Sequence, residues 1–223
     1  MGYRLEKKEI DLSRLRKVTF LPNQKAGDVY RYKNYVIRIF KAGEKVIDEE
    51  TARYLTDIST DRIILPRKLL FYNNAFKGYA MKLVPQKGAG KRIITSPKEE
   101  IISCVEALER DIETLSQKKV LLNDINPGYT LYNGKLYLVN PVNYSTLAMG
   151  DPFALEKLNR FQLHLLLTEL ITGELRRAKY SSNTIDYLRE LLKLRDNDER
   201  SSSYLKDIME GQSNIKELVK KIG

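Results

Sequence analysis

The sequence predicts an α+β chain in two lobes. Residues 1–84 read as a β-rich N-terminal lobe with one helix, 85–98 as a connector and 99–223 as a mainly helical lobe. Three observations predict this. Two hairpin patterns occupy the first part. A stretch bearing both Pro and Gly, PQKGAGKRIITSPK, follows them. Beyond it, apolar residues recur at helical spacing.

The elements follow in order. Val29-Tyr30-Arg31-Tyr32 and Tyr35-Val36-Ile37-Arg38-Ile39-Phe40 alternate and are rich in β-branched and aromatic residues, with Lys33-Asn34 as a tight turn between them. Residues 44–58 are charged and periodic and predict one helix burying Val46, Ile47, Ala52, Tyr54 and Leu55. A second hairpin is predicted from 68–72 and 78–84, turning at Asn73-Asn74. Residues 99–118 form the next predicted helix, started by Pro97-Lys98 and carrying Ile101, Val105, Leu108, Ile112 and Leu115 at three-to-four spacing. Asn133-Gly134 makes a turn into a strand over 135–140. A strongly apolar helix over 155–172 ends at Gly173, and two amphipathic helices are predicted near 184–194 and 203–222.

Composition narrows the function classes. The chain has 223 residues, enough to bury a core without disulfide or metal staples. One Cys, Cys104, excludes a disulfide scaffold or a multi-thiolate zinc site; one His, His164, excludes a two-histidine metal centre. Both are expected to be packed side chains on helix faces. No apolar run reaches the ~18 residues of a membrane span, and MGYRLEKKEIDLSR has no apolar leader core. The expected location is the cytoplasm. The net charge is +10, and it is uneven: residues 1–100 carry 22 Lys or Arg against 12 Asp or Glu, whereas the remainder balances. A basic N-terminal lobe suits a protein partner with an acidic surface, or else nucleic acid or another anionic ligand.

The order of these elements, with the residues they carry, resembles the protein-kinase-like superfamily over about residues 25–175, in a degenerate bacterial form akin to RIO-like proteins. Tyr35-Val36-Ile37-Arg38-Ile39-Phe40-Lys41 resembles the third strand of a kinase small lobe, and Glu49 or Glu50 the glutamate of the helix that follows. Gly78 to Val84 resembles the fifth strand running into the hinge, with Met81 as gatekeeper and Leu83 at the nucleotide cleft. Asn123-Asp124-Ile125-Asn126-Pro127-Gly128-Tyr129 resembles the catalytic loop, and Leu138-Val139-Asn140-Pro141 the turn that bears the metal-binding aspartate.

Phosphoryl transfer needs cations on the phosphates, held Mg²⁺ and an oriented hydroxyl. Most positions that would supply them are altered. Arg38 stands in the lysine slot, a wider and planar cation. Lys41, three positions on, belongs to the other face of an ideal strand. Tyr129 fills the metal asparagine slot and Asn140 the aspartate slot, and one glycine stands in the phosphate loop where the family has three. Asp124 alone is kept. The resemblance with these losses implies a pseudokinase that binds or regulates, with no resident cofactor. Arg38, Glu50, Met81 and Leu83 would line a vestigial nucleotide cleft, with Arg38 and Glu50 as a structural ion pair and Tyr129 packed into the vacated space. The alternative is an atypical active small kinase using Asp124, with ATP and Mg²⁺ held weakly through Asn126 and Asn140.

Overall fold

A computed structural model describes residues 2–18, 28–43, 46–84, 88–89, 93, 95–123, 125, 127–139, 143–172, 215–216 and 219. In chain order the described elements are β1 (Tyr3–Leu5), β2 (Lys8–Ile10), β3 (Arg16–Lys17), β4 (Asp28–Tyr32), β5 (Tyr35–Ile39), α1 (Glu49–Thr56), β6 (Pro66–Tyr72), β7 (Ala75–Lys82), β8 (Gly88–Ala89), α2 (Lys98–Gln117), β9 (Val120–Leu121), β10 (Thr130–Tyr132), β11 (Leu136–Leu138), β12 (Ser145–Thr146) and α3 (Pro152–Thr172). The fold is mixed α+β. Most of the two predicted C-terminal helices lies outside the described residues; Ile215, Lys216 and Val219 are helical.

Seven antiparallel strands form one sheet in the order β2-β1-β6-β7-β5-β4-β3. Its two central hairpins are the predicted ones. Tyr32 pairs with Tyr35 around the Lys33-Asn34 turn. Asn73 and Asn74 take φ of 49° and 66°, the left-handed pair that a two-residue hairpin needs and that asparagine tolerates. The second strand of that hairpin starts at Ala75 rather than at 78. Gly78 is dictated by close approach: a Cβ there would lie 1.9 Å from the Arg38 carbonyl oxygen.

The hairpin β1–β2 has no counterpart in the predicted elements, because three-residue strands leave almost no alternation to read. Glu6, at its turn, ties it to the sheet: its carboxylate accepts from Leu69 N–H at 2.7 Å, and its own N–H donates to the Leu69 carbonyl at 2.9 Å. This hairpin forces the sheet to curl. Flat, six strand spacings would put β2 and β3 about 29 Å apart. The six residue steps from Ile10 to Arg16 reach only about 21 Å. The inside of the curl is filled by Leu5, Ile37, Leu70 and Ala80.

Helix α1 is shorter than the predicted 44–58. It starts where the Asp48 carboxylate accepts from Thr51 N–H at 2.6 Å, and it buries Thr51, Ala52 and Leu55. Ile47 is buried just ahead of it, whereas Tyr54 is 42% exposed and donates its hydroxyl to the Lys118 carbonyl. Helix α2 falls within one residue of its predicted bounds. The other face of the sheet, with Leu69, Tyr79 and Met81, joins a continuous apolar core with Leu55 of α1, Val105 and Leu108 of α2, and Leu163 and Leu167 of α3. Among the described residues no helix is long and apolar enough to cross a membrane.

Candidate functional site

Strand alternation sets up the site. On β5, Ile37 and Ile39 face the inside of the curl, so Val36 and Arg38 face the other way. Val36 there borders an apolar cleft with about 290 Å³ of empty space, open solvent at its mouth included. Ile64, Met81 and the Lys82-Leu83-Val84 segment line it from the sheet side; Leu131 of β10 and Val139, just after β11, line it from the opposite side. Most of that space is the open mouth; the enclosed part, about 20 Å³, has room for little more than one water-sized sphere. It is too small, as it stands, to enclose a whole nucleotide.

Deeper along the same face the chemistry changes. Arg38 is 2% exposed and pairs in register with Tyr79. Tyr79 is fully buried, its ring edge-on to Phe40 at 5.6 Å, and its hydroxyl has no hydrogen-bond partner among the described residues. Burial pushes the Tyr79 phenol up to about 12; the nearby Arg38 charge opposes this and Tyr129 adds to it. Tyr144, also buried, has its phenol raised further, by burial first and then by Tyr79 and Asp111. Arg38, Tyr79, Tyr129 and Tyr144 thus sit close enough to feel one another, and three of the four are buried. Tyr129 is half-buried and anchors the end of β11, its carbonyl accepting from Val139 N–H at 2.9 Å.

Of the residues assigned to the cleft, Met81 and Leu83 line it, and Arg38 lies on the same sheet face beyond it. Glu50 does not join them. It is exposed in the first turn of α1, whose inward positions are Thr51, Ala52 and Leu55. No Arg38–Glu50 ion pair forms. Asp124, Asn126 and Asn140 lie outside the described residues. Among the described residues no group of three or more His, Cys, Asp or Glu could hold a metal ion.

Two buried polar side chains that the sequence pattern hid hold the backbone around the site. Asp111, on the apolar side of α2 between Leu108 and Ile112, accepts from the N–H groups of Asp61 at 3.0 Å, Arg62 at 2.6 Å and Ile63 at 2.8 Å. The segment it holds is joined to β11: Ile64 N–H donates to the Leu138 carbonyl and Leu138 N–H to the Arg62 carbonyl. Asn159, fully buried in α3, accepts from Leu122 N–H at 2.8 Å and donates to the Val120 carbonyl at 2.8 Å and to Ser116 Oγ at 3.0 Å. It fixes the backbone of Val120 and Leu122. The available signal was a polar residue at an apolar-face position, Asp111 among Leu108, Ile112 and Leu115 and Asn159 among Leu155, Leu163 and Leu166.

His164 lies 3.2 Å from Glu109 between α3 and α2. Its hydrogen bond holds the Glu109 carboxyl below the usual range, with Arg160 and Lys216 adding to the effect. Cys104 is buried, and burial pushes its thiol up. Both behave as packed groups. A scan against protein-family models finds no match to this chain, and a search of curated proteins finds none either.

Proposed function

We propose that the chain is a kinase-like pseudoenzyme that works as a binding or regulatory module in the cytoplasm. The order of elements supports the fold part of this reading. The run β3-β4-β5-β7-β6, with α1 linking β5 to β6 and a connector leading to α2, is the arrangement that the kinase-like resemblance implies for a small lobe. Residues from both sides of the connector line one cleft.

The observation that carries the functional part is the contrast along that cleft. Its outer end is apolar and narrow. Beyond it, where the resemblance would put phosphates, stands Arg38, buried beside Tyr79 and near Tyr129. A guanidinium among buried phenols gives poor access to a hydrated, metal-bound triphosphate. The electrostatic stabilisation that dominates phosphoryl transfer would lack its metal ligands. Of the two glutamates that could orient a strand cation, Glu50 is exposed and Glu49 pairs with Arg53.

Thermal-shift measurements with adenosine, ATP, ATP–Mg²⁺ and ATP–Mn²⁺ test this. The expected result is no shift that depends on metal, and a shift with ATP no larger than with adenosine. A metal-dependent ATP shift that Asn140→Ala abolishes would overturn it in favour of an active kinase using Asp124.

A further inference from the structure

On the sheet face opposite the cleft, tyrosines and lysines rim the cluster that fills the inside of the curl, and Tyr32 and Tyr35 pack against its edge. Directly opposed residues on antiparallel strands share a face. The register therefore puts Lys17 beside Tyr30, Tyr32 beside Tyr35, and Tyr35 beside Lys82 on one face. Ile37, Ala80 and Lys68 follow across the same face. Ile37 and Ala80 are buried at its centre, and the tyrosines border them half-buried. Lys68 Nζ lies 5.2 Å from the centre of the Tyr35 ring, and Lys33 Nζ lies 5.8 Å from that of Tyr32. Farther along the curl Tyr3 and Tyr72 meet at a 46° tilt with centres 4.8 Å apart, Tyr72 being 37% exposed.

Among the described residues, most of the positive charge on this face has no acidic partner. Lys17 pairs with Asp28 at 2.7 Å, but among the described residues Lys33, Lys68 and Lys82 form no ion pair. Like charges gathered on one face repel in the free protein, and an anion would relieve them. The whole net charge of the chain lies in its first 100 residues. An acidic protein surface would answer the lysines alone. Aromatic rings set among lysines answer a ligand that brings phosphates and flat rings together.

We propose that this tyrosine- and lysine-bearing face of the sheet binds single-stranded nucleic acid, with bases stacking on Tyr32 and Tyr35 and with Lys33, Lys68 and Lys82 neutralising phosphates. Tyr32, Tyr35, Lys33 and Lys68 do not line the cleft, and of the five residues named only Lys82 also borders it.

The test is fluorescence anisotropy on the full chain with labelled oligo(dT) and oligo(U) of about 12 nucleotides, within the span of known single-strand sites, at about 50 and 200 mM salt. Binding to either strand is expected, weakening as salt rises. The double variant Lys68→Glu/Lys82→Glu should weaken it at least tenfold, and the loss of two phosphate contacts should lower the salt slope by about 1.4. Tyr35→Leu should weaken it roughly tenfold, whereas Tyr35→Phe, which keeps a ring and guards against misfolding, should not. The chain has 14 Tyr and no Trp, so stacking should also quench its intrinsic emission. Three results would overturn the proposal: no binding at the lower salt, equal competition by polyglutamate, or loss on charge reversal with none for Tyr35→Leu. The last two would make the face a docking site for an acidic protein.

Discussion

The sheet region and the helical region of this protein are held by different means. In the sheet, backbone register and close approach fix most of the strands, with Glu6 adding one side-chain acceptor, and at Gly78 the Arg38 carbonyl leaves no room for a Cβ. In the helical region two side chains take over. Asp111 and Asn159 reach out of their helices to bind backbone groups 48 and 37 residues away. A sheet satisfies its own backbone through its ladder, but an irregular segment between elements cannot, and it borrows partners from side chains. The lesson is that the parts around the cleft depend on single polar residues more than the cleft's roof does.

Substitutions can break this comparison. The largest expected effect is that of Asp111→Ala, which leaves three N–H groups without their acceptor and should destabilise by about 4 kcal/mol. Urea unfolding measures it, and Asp111→Asn, with one carbonyl oxygen, should lose less. A loss below about 1 kcal/mol would show that water replaces the carboxylate without cost. Gly78→Ala comes next, at about 3 kcal/mol, from overpacking against backbone that has little room to move. If it costs no more than an ordinary surface substitution, of about 0.5 kcal/mol, the approach of β5 and β7 is looser than the geometry requires.

The smallest effect sharpens the same contrast through pH. The Glu109 carboxyl, facing His164 of α3 with Arg160 and Lys216 nearby, is held below its ordinary value of 4.5. A carboxylate depressed in the folded state stabilises fully above its unfolded pKa and loses that contribution as pH falls through the folded one. Wild type should therefore exceed Glu109→Gln in melting temperature near pH 6, and the gap should close below about pH 4. A gap that stays constant across that range would mean that the ion pair does not couple to folding.

How much was legible follows from how local each feature is. The hairpins at 28–39 and 66–82 and helix α2 depend on neighbours in the chain, so alternation, Asn-Asn and three-to-four spacing announce them. Met81 and Leu83 reach the cleft because a strand's alternation carries them there. Glu50 misses it because helix α1 starts five residues later than its charge pattern suggests, capped by Asp48, and turns Thr51, Ala52 and Leu55 inward. The β1–β2 hairpin was illegible because its strands are three residues long and gain their stability from β6.

By itself the sequence determined the mixed α+β class, the identity of the central hairpins and α2, and the placing of all net positive charge before residue 101. Each of these depends on residue type and short-range spacing. Only the tertiary structure decided the curl of the sheet, the burial of Arg38 among tyrosines, the gathering of Tyr32, Tyr35, Lys68 and Lys82 on one face, and the roles of Asp111 and Asn159. Those depend on partners tens of residues apart, which meet only when the strand order and helix packing bring them together, and no local pattern encodes which distant group a buried polar side chain will find.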